Sequence, residues 1–292
     1  FGLIEGGTSI IGWGTLGKVV LSWVTSPISG AILSFIIFSI IVKVIFNSDD
    51  PFETVKKTSP FFIGATFFII SLSLLYQTAL SARLFGRYTS NTEAVALSLA
   101  IGVLVGICGK FFLLRGVKKG DDFEGVESVF KNLQIITSCF VAFSHGANDV
   151  ANAIGPLMLA VENAFPVDEN LPFYLDGNYL LLLGGVGIAI GISTWGYRVM
   201  KTVGFSVTKL TNSRGFAVDF GAATTILVAS KVGMPISTSH TVVGAVIGVG
   251  LARGLEAIDL SVIKRIVISW IITVPIAAVT CVGIFLGVNL LI

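Results

Sequence analysis

FVAFSHGANDVANAIGP, residues 140–156, places His145, Asn148, Asp149 and Asn152 inside a stretch that is otherwise as apolar as a lipid tail. An Asp at the centre of a membrane helix costs roughly 2.5–3.5 kcal/mol on insertion scales, so such a group marks a functional site by default. In a helix Asn148 and Asn152 are i,i+4 neighbours on one face. Gly146 permits close backbone approach or an abrupt change of direction. A carboxylate flanked by amide oxygens and freed backbone carbonyls is a ligand set for a hard cation such as Na+.

The flanking chain identifies the medium. Of its 292 residues 54% are hydrophobic and 12% charged, about half the charge of a soluble domain. Apolar runs fall near 19–46, 60–82, 94–114, 132–161, 178–197, 216–252 and 262–292, most of them at or above the roughly 18–20 residues that cross a bilayer. The expected fold class is therefore an all-α polytopic protein of the lipid bilayer. A net charge of +2 gives no reason to expect a nucleic-acid partner. Cys108, Cys139 and Cys281 all lie in apolar runs and read as small packing residues, with no CxxC or HExxH pattern to suggest a metal.

Two runs have the wrong length. The run at 132–161 would extend about 45 Å as one helix, and HGANDVAN interrupts it. The run at 216–252 is too long for one crossing and short for two, and SKVGMPISTSH (230–240) breaks it with Pro235. Both read as broken helices or re-entrant hairpins, which survive at membrane depth only where they line a cavity or are buried in protein. Charge agrees for the second. Arg115, Lys118, Lys119 and Lys131 put the linker before the motif inside. Glu162, Asp168, Glu169 and Asp176 put the next linker outside, and Arg198, Lys201, Lys209 and Arg214 put the one after it inside. Arg253, Lys264 and Arg265 are then also inside only if 216–252 enters and leaves by one face. Arg83 and Arg87 fall outside on this scheme.

A repeat lies across the ends of the chain. Gly2, Gly6, Lys18, Ser22 and Trp23 correspond to Gly250, Gly254, Arg265, Ser269 and Trp270, with a one-residue slip on each side of the Trp. The charge scheme runs the first copy inward and the second outward, the arrangement of an inverted-repeat transporter whose site lies between the copies. In the later copy the polar motifs precede this helix, whereas the chain begins at Phe1 where their counterparts would have ended. The first repeat is thus expected to be truncated at its N-terminal side, with its partner motifs upstream. The expected organisation is a first-repeat tail at 1–58, linking helices and a cytoplasmic loop at 59–130, and a second repeat at 131–292.

PISTSHT (235–241) carries different chemistry. Pro235 ends a helix or opens a turn, and Ser237, Thr238 and Ser239 precede the apolar VVGAVIGVGLA. One hydroxyl suffices as an N-cap; three add donors suited to a tetrahedral oxyanion at the positive end of a helix dipole. The chain's two histidines, His145 and His240, fall one in each motif and could donate to an anion, relay a coupling proton or brace the site. Asp219 faces either a cavity or the inner surface, with Thr224 and Thr225 as further ligands one or two turns on. Lys231 reads as a snorkelling or hairpin-tip residue. Hydrolysis through Ser144 or Ser239 with His145 or His240 and Asp149 is disfavoured, because Ser144 and His145 are adjacent and no GxSxG is present.

FSHGANDVANAIGPL (143–157) and GMPISTSHTVVGAVIGVGLARG (233–254) resemble the inorganic phosphate transporter (PiT) family of cation–phosphate symporters. The resemblance covers the whole chain, although members carry each motif twice and this chain carries each once. It implies a non-enzymatic secondary transporter moving inorganic phosphate through the cell membrane, without a cofactor, with Na+ or H+ as coupling ion. Ser237, Thr238, Ser239 and Asn148 would bind phosphate. Asp149, Asn148, Asn152 and Asp219 would serve the cation, with Na+ at Asp149 and Asn148. His145, His240, Thr224 and Thr225 would support them or relay protons. The wealth of neutral oxygen ligands favours Na+, with proton coupling through His145, His240 or Asp219 as the alternative and sulfate as the rival oxyanion. Oligomeric state is open, a homo-oligomer included.

Overall fold

The computed structural model describes residues 7–78, 80–113, 122–164 and 177–291, and within these the chain is helical and turn-connected with no strand. The principal helices are α1 (Trp13–Ile41), α2 (Pro51–Gln77), α3 (Leu80–Phe85), α4 (Asn91–Leu113), α5 (Asp122–Ala164), α6 (Gly177–Lys201), α7 (Asn212–Lys231), α8 (Thr238–Ala252) and α9 (Leu260–Leu291). Short π-helical turns at Val42–Phe46 and Thr202–Val207 extend α1 and α6. Five stretches are long and apolar enough to cross a membrane, Trp13–Phe46, Pro51–Tyr76, Asn91–Phe111, Gly177–Gly204 and Leu260–Val288. The polytopic, all-α class expected from composition holds.

The run at 216–252 is a helical hairpin of α7 and α8. Its tip turns at Gly233, whose φ of 66° is left-handed backbone that glycine adopts without strain. Its two ends meet the same group of residues. Arg214 Nη1 donates to the Lys209 carbonyl at 2.9 Å, and Arg253 Nη1 donates to Thr208 Oγ1 at 2.9 Å. The basic residues before and after the hairpin therefore share one side, as the charge count required.

The run at 132–161 departs from expectation. It is not broken: α5 continues for 43 residues through the whole motif, about 64 Å of helix. The motif pays for its own continuity, because the His145–Asp149 pair forms only at helical i,i+4 spacing. Gly146 provides no close approach either, since a Cβ there would meet nothing within 4 Å. The first turns of α5 instead dock on the start of α2, where Val126 and Val129 are buried with Phe52 and Val55.

The core lies where α1, α2, α5 and the hairpin meet. Phe62 of α2, Phe130 of α5 and Phe216 of α7 form a three-ring cluster with centroids 5.4–5.9 Å apart, a geometry that adds to the burial of large apolar side chains. Against α1 the hairpin packs backbone to backbone. A Cβ at Gly244 would lie 2.1 Å from the Pro27 carbonyl oxygen, and one at Gly248 would lie 2.1 Å from that of Ala31. Ser34 Oγ seals the contact by donating to the Ala245 carbonyl at 2.7 Å. Small residues at a membrane-helix interface permit this approach, since packing rather than water exclusion drives association there. α1 runs parallel to α8 and antiparallel to α7, whereas no residue in the 18-residue apolar window of α9 is buried.

Candidate ion-binding site

The two motifs meet. Thr238, in the first turn of α8 and only 2% exposed, donates through Oγ1 towards both Asp149 oxygens at 3.3 Å. On α5, His145 Nε2 contacts Asp149 Oδ2 at 2.9 Å, and Asn148 Nδ2 donates to Oδ1 at 3.4 Å. Ser237 is the N-cap of α8: its side chain accepts from the His240 amide at 3.4 Å, and Thr241 Oγ1 donates to its carbonyl at 2.8 Å. Asp149 thus stands beside the positive end of α8, and its side chain is 29% exposed, open enough for a solute ion to reach.

The other residues singled out in the sequence are spread around this pair. Asn152 and Ser239 are exposed, and the hydrogen bonds described for Asp149 come from His145, Asn148 and Thr238 instead. His240 stacks on Trp270 of α9 with centroids 3.9 Å apart, and its Nδ1 is buried with no partner among the described groups. Thr224 and Thr225 donate to the Phe220 and Gly221 carbonyls of their own helix at 2.8 Å. They line a cavity of about 430 Å³ between α1 and the hairpin, together with Thr25, Ser26 and Ser29. Ser144 Oγ is buried with no hydrogen-bond partner among the described residues.

Asp219 occupies a second place. It accepts from Ser138 Oγ at 2.5 Å and from Thr137 Oγ1 at 3.3 Å. Ser138 precedes Asp149 by three turns of α5, about 16 Å, so the two carboxylates do not share one ion. The sequence reading named neither Thr137 nor Ser138, nor Glu127, which accepts from Thr211 and Ser213 at the hairpin base. Their common signal is spacing. Glu127, Ser138 and Asp149 stand 11 residues apart, which brings a helix back to the same face within about 20°. Lys231 sits at the end of α7, where Nζ donates to Asn91 Oδ1 at 2.5 Å and lies 3.8 Å from the Tyr76 ring centroid. Arg87 is held by Glu93 through two contacts of 2.7 and 2.9 Å, which partners one of the two basic residues that the charge scheme expects outside.

A family model described as the phosphate transporter family matches residues 1–281. The chain belongs to that family. It is 45% identical over 294 residues to a protein of Pyrococcus horikoshii named "Putative phosphate permease", covering 100% of this chain and 70% of that one. With "Inorganic phosphate transporter 2-1, chloroplastic" of Arabidopsis thaliana it shares 36% identity over 95% of this chain and 51% of the relative. A solved structure titled "The sodium-dependent phosphate transporter" superposes with a TM-score of 0.77 at 42% identity, over 94% of this chain and 66% of that one. Relatives in the family are thus longer than this chain, which spans about two thirds of most of those compared. The family and its fold agree with a multi-pass membrane transporter.

Proposed function

We propose that this chain forms part of a carrier of the cell membrane that moves inorganic phosphate inward together with Na+. The carrying observation is the contact of Thr238 with Asp149, which joins a cation-ligating carboxylate to the N-terminus of a buried helix. Asp149 and Asn148 supply oxygens for Na+, with Asn152 close by on the same helix. Ser237, Thr238 and Ser239, together with the free amides of the first turn of α8, supply donors for phosphate. Moving an anion against an inside-negative potential of 100 mV costs about 2.3 kcal/mol per net charge. Sodium bound at Asp149 offsets that charge and draws on its own gradient. The sodium-dependent transporter that this fold matches supports the choice of ion.

The reading extends to symmetry. In α1, Ser22, Ser26 and Ser34 are buried against the hairpin, while the corresponding helix α9 leaves Ser269 and Thr273 exposed. An upstream hairpin seated on α9, as α7 and α8 sit on α1, completes an inverted pair and closes the site from the other side. The greater length of the relatives is consistent with this.

Phosphate uptake into liposomes, with and without a Na+ gradient at fixed pH, tests the proposal. Uptake that follows the Na+ gradient supports it. Uptake indifferent to Na+ but driven by a pH gradient transfers coupling to His145, His240 or Asp219. Inhibition by sulfate but not arsenate overturns the choice of phosphate, because arsenate shares its shape and titratable proton.

A further inference from the structure

Glu127 lies in the first turns of α5, is 8% exposed, and takes no part in the ion cluster. Its carboxylate is nonetheless among the most heavily bonded in the molecule. Oε1 accepts from Thr211 Oγ1 at 2.8 Å and from Ser213 Oγ at 2.6 Å, and Oε2 accepts from the Ser213 amide at 2.9 Å. Its own carbonyl accepts from Asn212 Nδ2 at 3.1 Å. These donors are the N-terminus of α7. The N-cap residue Thr211 makes no side-chain cap of its own, because its hydroxyl is turned to Glu127. A carboxylate from another helix therefore does the capping and also meets the positive dipole end.

The clasp is one rung of three. Along α5, Glu127, Ser138 and Asp149 form a single stripe with an 11-residue repeat, and each meets the hairpin at a different level. Glu127 takes Ser213 at the base, Ser138 and Thr137 bond Asp219 in the middle, and Asp149 takes Thr238 at the start of α8. A rigid helix pair joined at the base and middle has little freedom to slide or turn at the third level. Slippage by one residue at Glu127 would rotate the face by about 100° and shift it by about 1.5 Å at every rung.

We infer that Glu127 is a positioning residue, which locks the hairpin to α5 in the register that brings Thr238 onto Asp149. It acts about 33 Å along α5 from that contact and touches neither ion. The inference rests on the Na+–phosphate reading only for its transport readout.

Two measurements on Glu127→Ala and Glu127→Gln, made on the purified full chain, test it. The first is amide hydrogen exchange at residues 212–216 and 238–241. In Glu127→Ala, exchange rises at both places, by about tenfold at the base, in line with loss of a charge-assisted cap. The second is phosphate uptake per folded molecule, in which half-saturating Na+ and phosphate rise about five- to tenfold while the maximal rate changes less. Glu127→Gln retains an acceptor for the Ser213 amide and falls between Ala and the unaltered protein in both. Should Glu127→Ala not accumulate, Ser213→Ala removes one donor and gives the same two-ended comparison. Faster exchange at 212–216 alone, with 238–241 unchanged, reduces Glu127 to a local cap and overturns the inference. So does wild-type half-saturation in Glu127→Ala. Faster exchange at both ends in a protein that moves no phosphate upholds the positioning role while removing the transport reading.

Discussion

Replacing Thr238 with Val keeps the shape of a side chain that is 2% exposed and deletes only its hydroxyl. That hydroxyl spans both Asp149 oxygens at 3.3 Å. Hydrogen bonds to charged groups contribute about 1.5–3 kcal/mol, and the short ones run about 2.5–2.7 Å for hydroxyl to carboxylate. Two longer, shared contacts belong at the lower end, about 1.5 kcal/mol, which corresponds to roughly tenfold in an equilibrium constant. Val at this position should therefore raise half-saturating Na+ in phosphate uptake by about tenfold, while Thr238→Ser, which restores the donor, should stay within about threefold. Direct Na+ binding to purified protein should shift in parallel. A Val variant with wild-type half-saturation for both ions would refute the claim that the hairpin completes the cation site through this hydroxyl.

Other perturbations separate chemistry from packing. Asp149→Ala should abolish coupled uptake yet leave the protein folded, read by uptake against monodispersity. Gly248→Ala forces a Cβ to within 2.1 Å of the Ala31 carbonyl oxygen, and such overpacking should lower stability by about 1–3 kcal/mol in a denaturation series. Cys108→Ala removes an exposed thiol from α4 and should leave uptake nearly intact. Asp259, preceding α9, accepts from the Ser261 hydroxyl and from the Val262 and Ser261 amides, which together hold its carboxyl below the usual range. A depressed folded-state pKa means that this cap is intact above the unfolded carboxylate value, near pH 4, and fails as pH falls through the lower folded value. Hydrogen-exchange protection over residues 260–263 should fall along that course, and Asp259→Ala should show the loss already at neutral pH.

The hairpin was legible because two independent signals, an awkward length and the side of Arg253, had to be satisfied at once. The reading of 132–161 as broken failed for a physical reason. Polar residues and Gly146 are helix-weakening in isolation, but His145 and Asp149 reward the helical spacing, and the polar side chains had somewhere to go. Asp149 and Thr238 belong to separate motifs in the sequence, and their approach is not legible there because they stand 89 positions apart. The partners of Asp219 were missed since Thr137 and Ser138 look like ordinary small residues in an apolar run. Glu127 was missed because it lies in a charged linker-like stretch, where an acid normally faces water. What distinguishes it is an 11-residue period shared with Ser138 and Asp149, of which Asp149 alone stands out in the sequence.

That period makes length as consequential as identity in α5. Deleting Ala142, or inserting one residue beside it, would remove none of the bonded side chains described above, yet it would swing the downstream half of the helix by about 100°. Asp149 would then turn from the hairpin while the Glu127 end stayed fastened. Along this helix an indel is therefore a harsher lesion than most point changes, and two engineered variants that differ only by a residue's displacement would have the same composition and opposite competence.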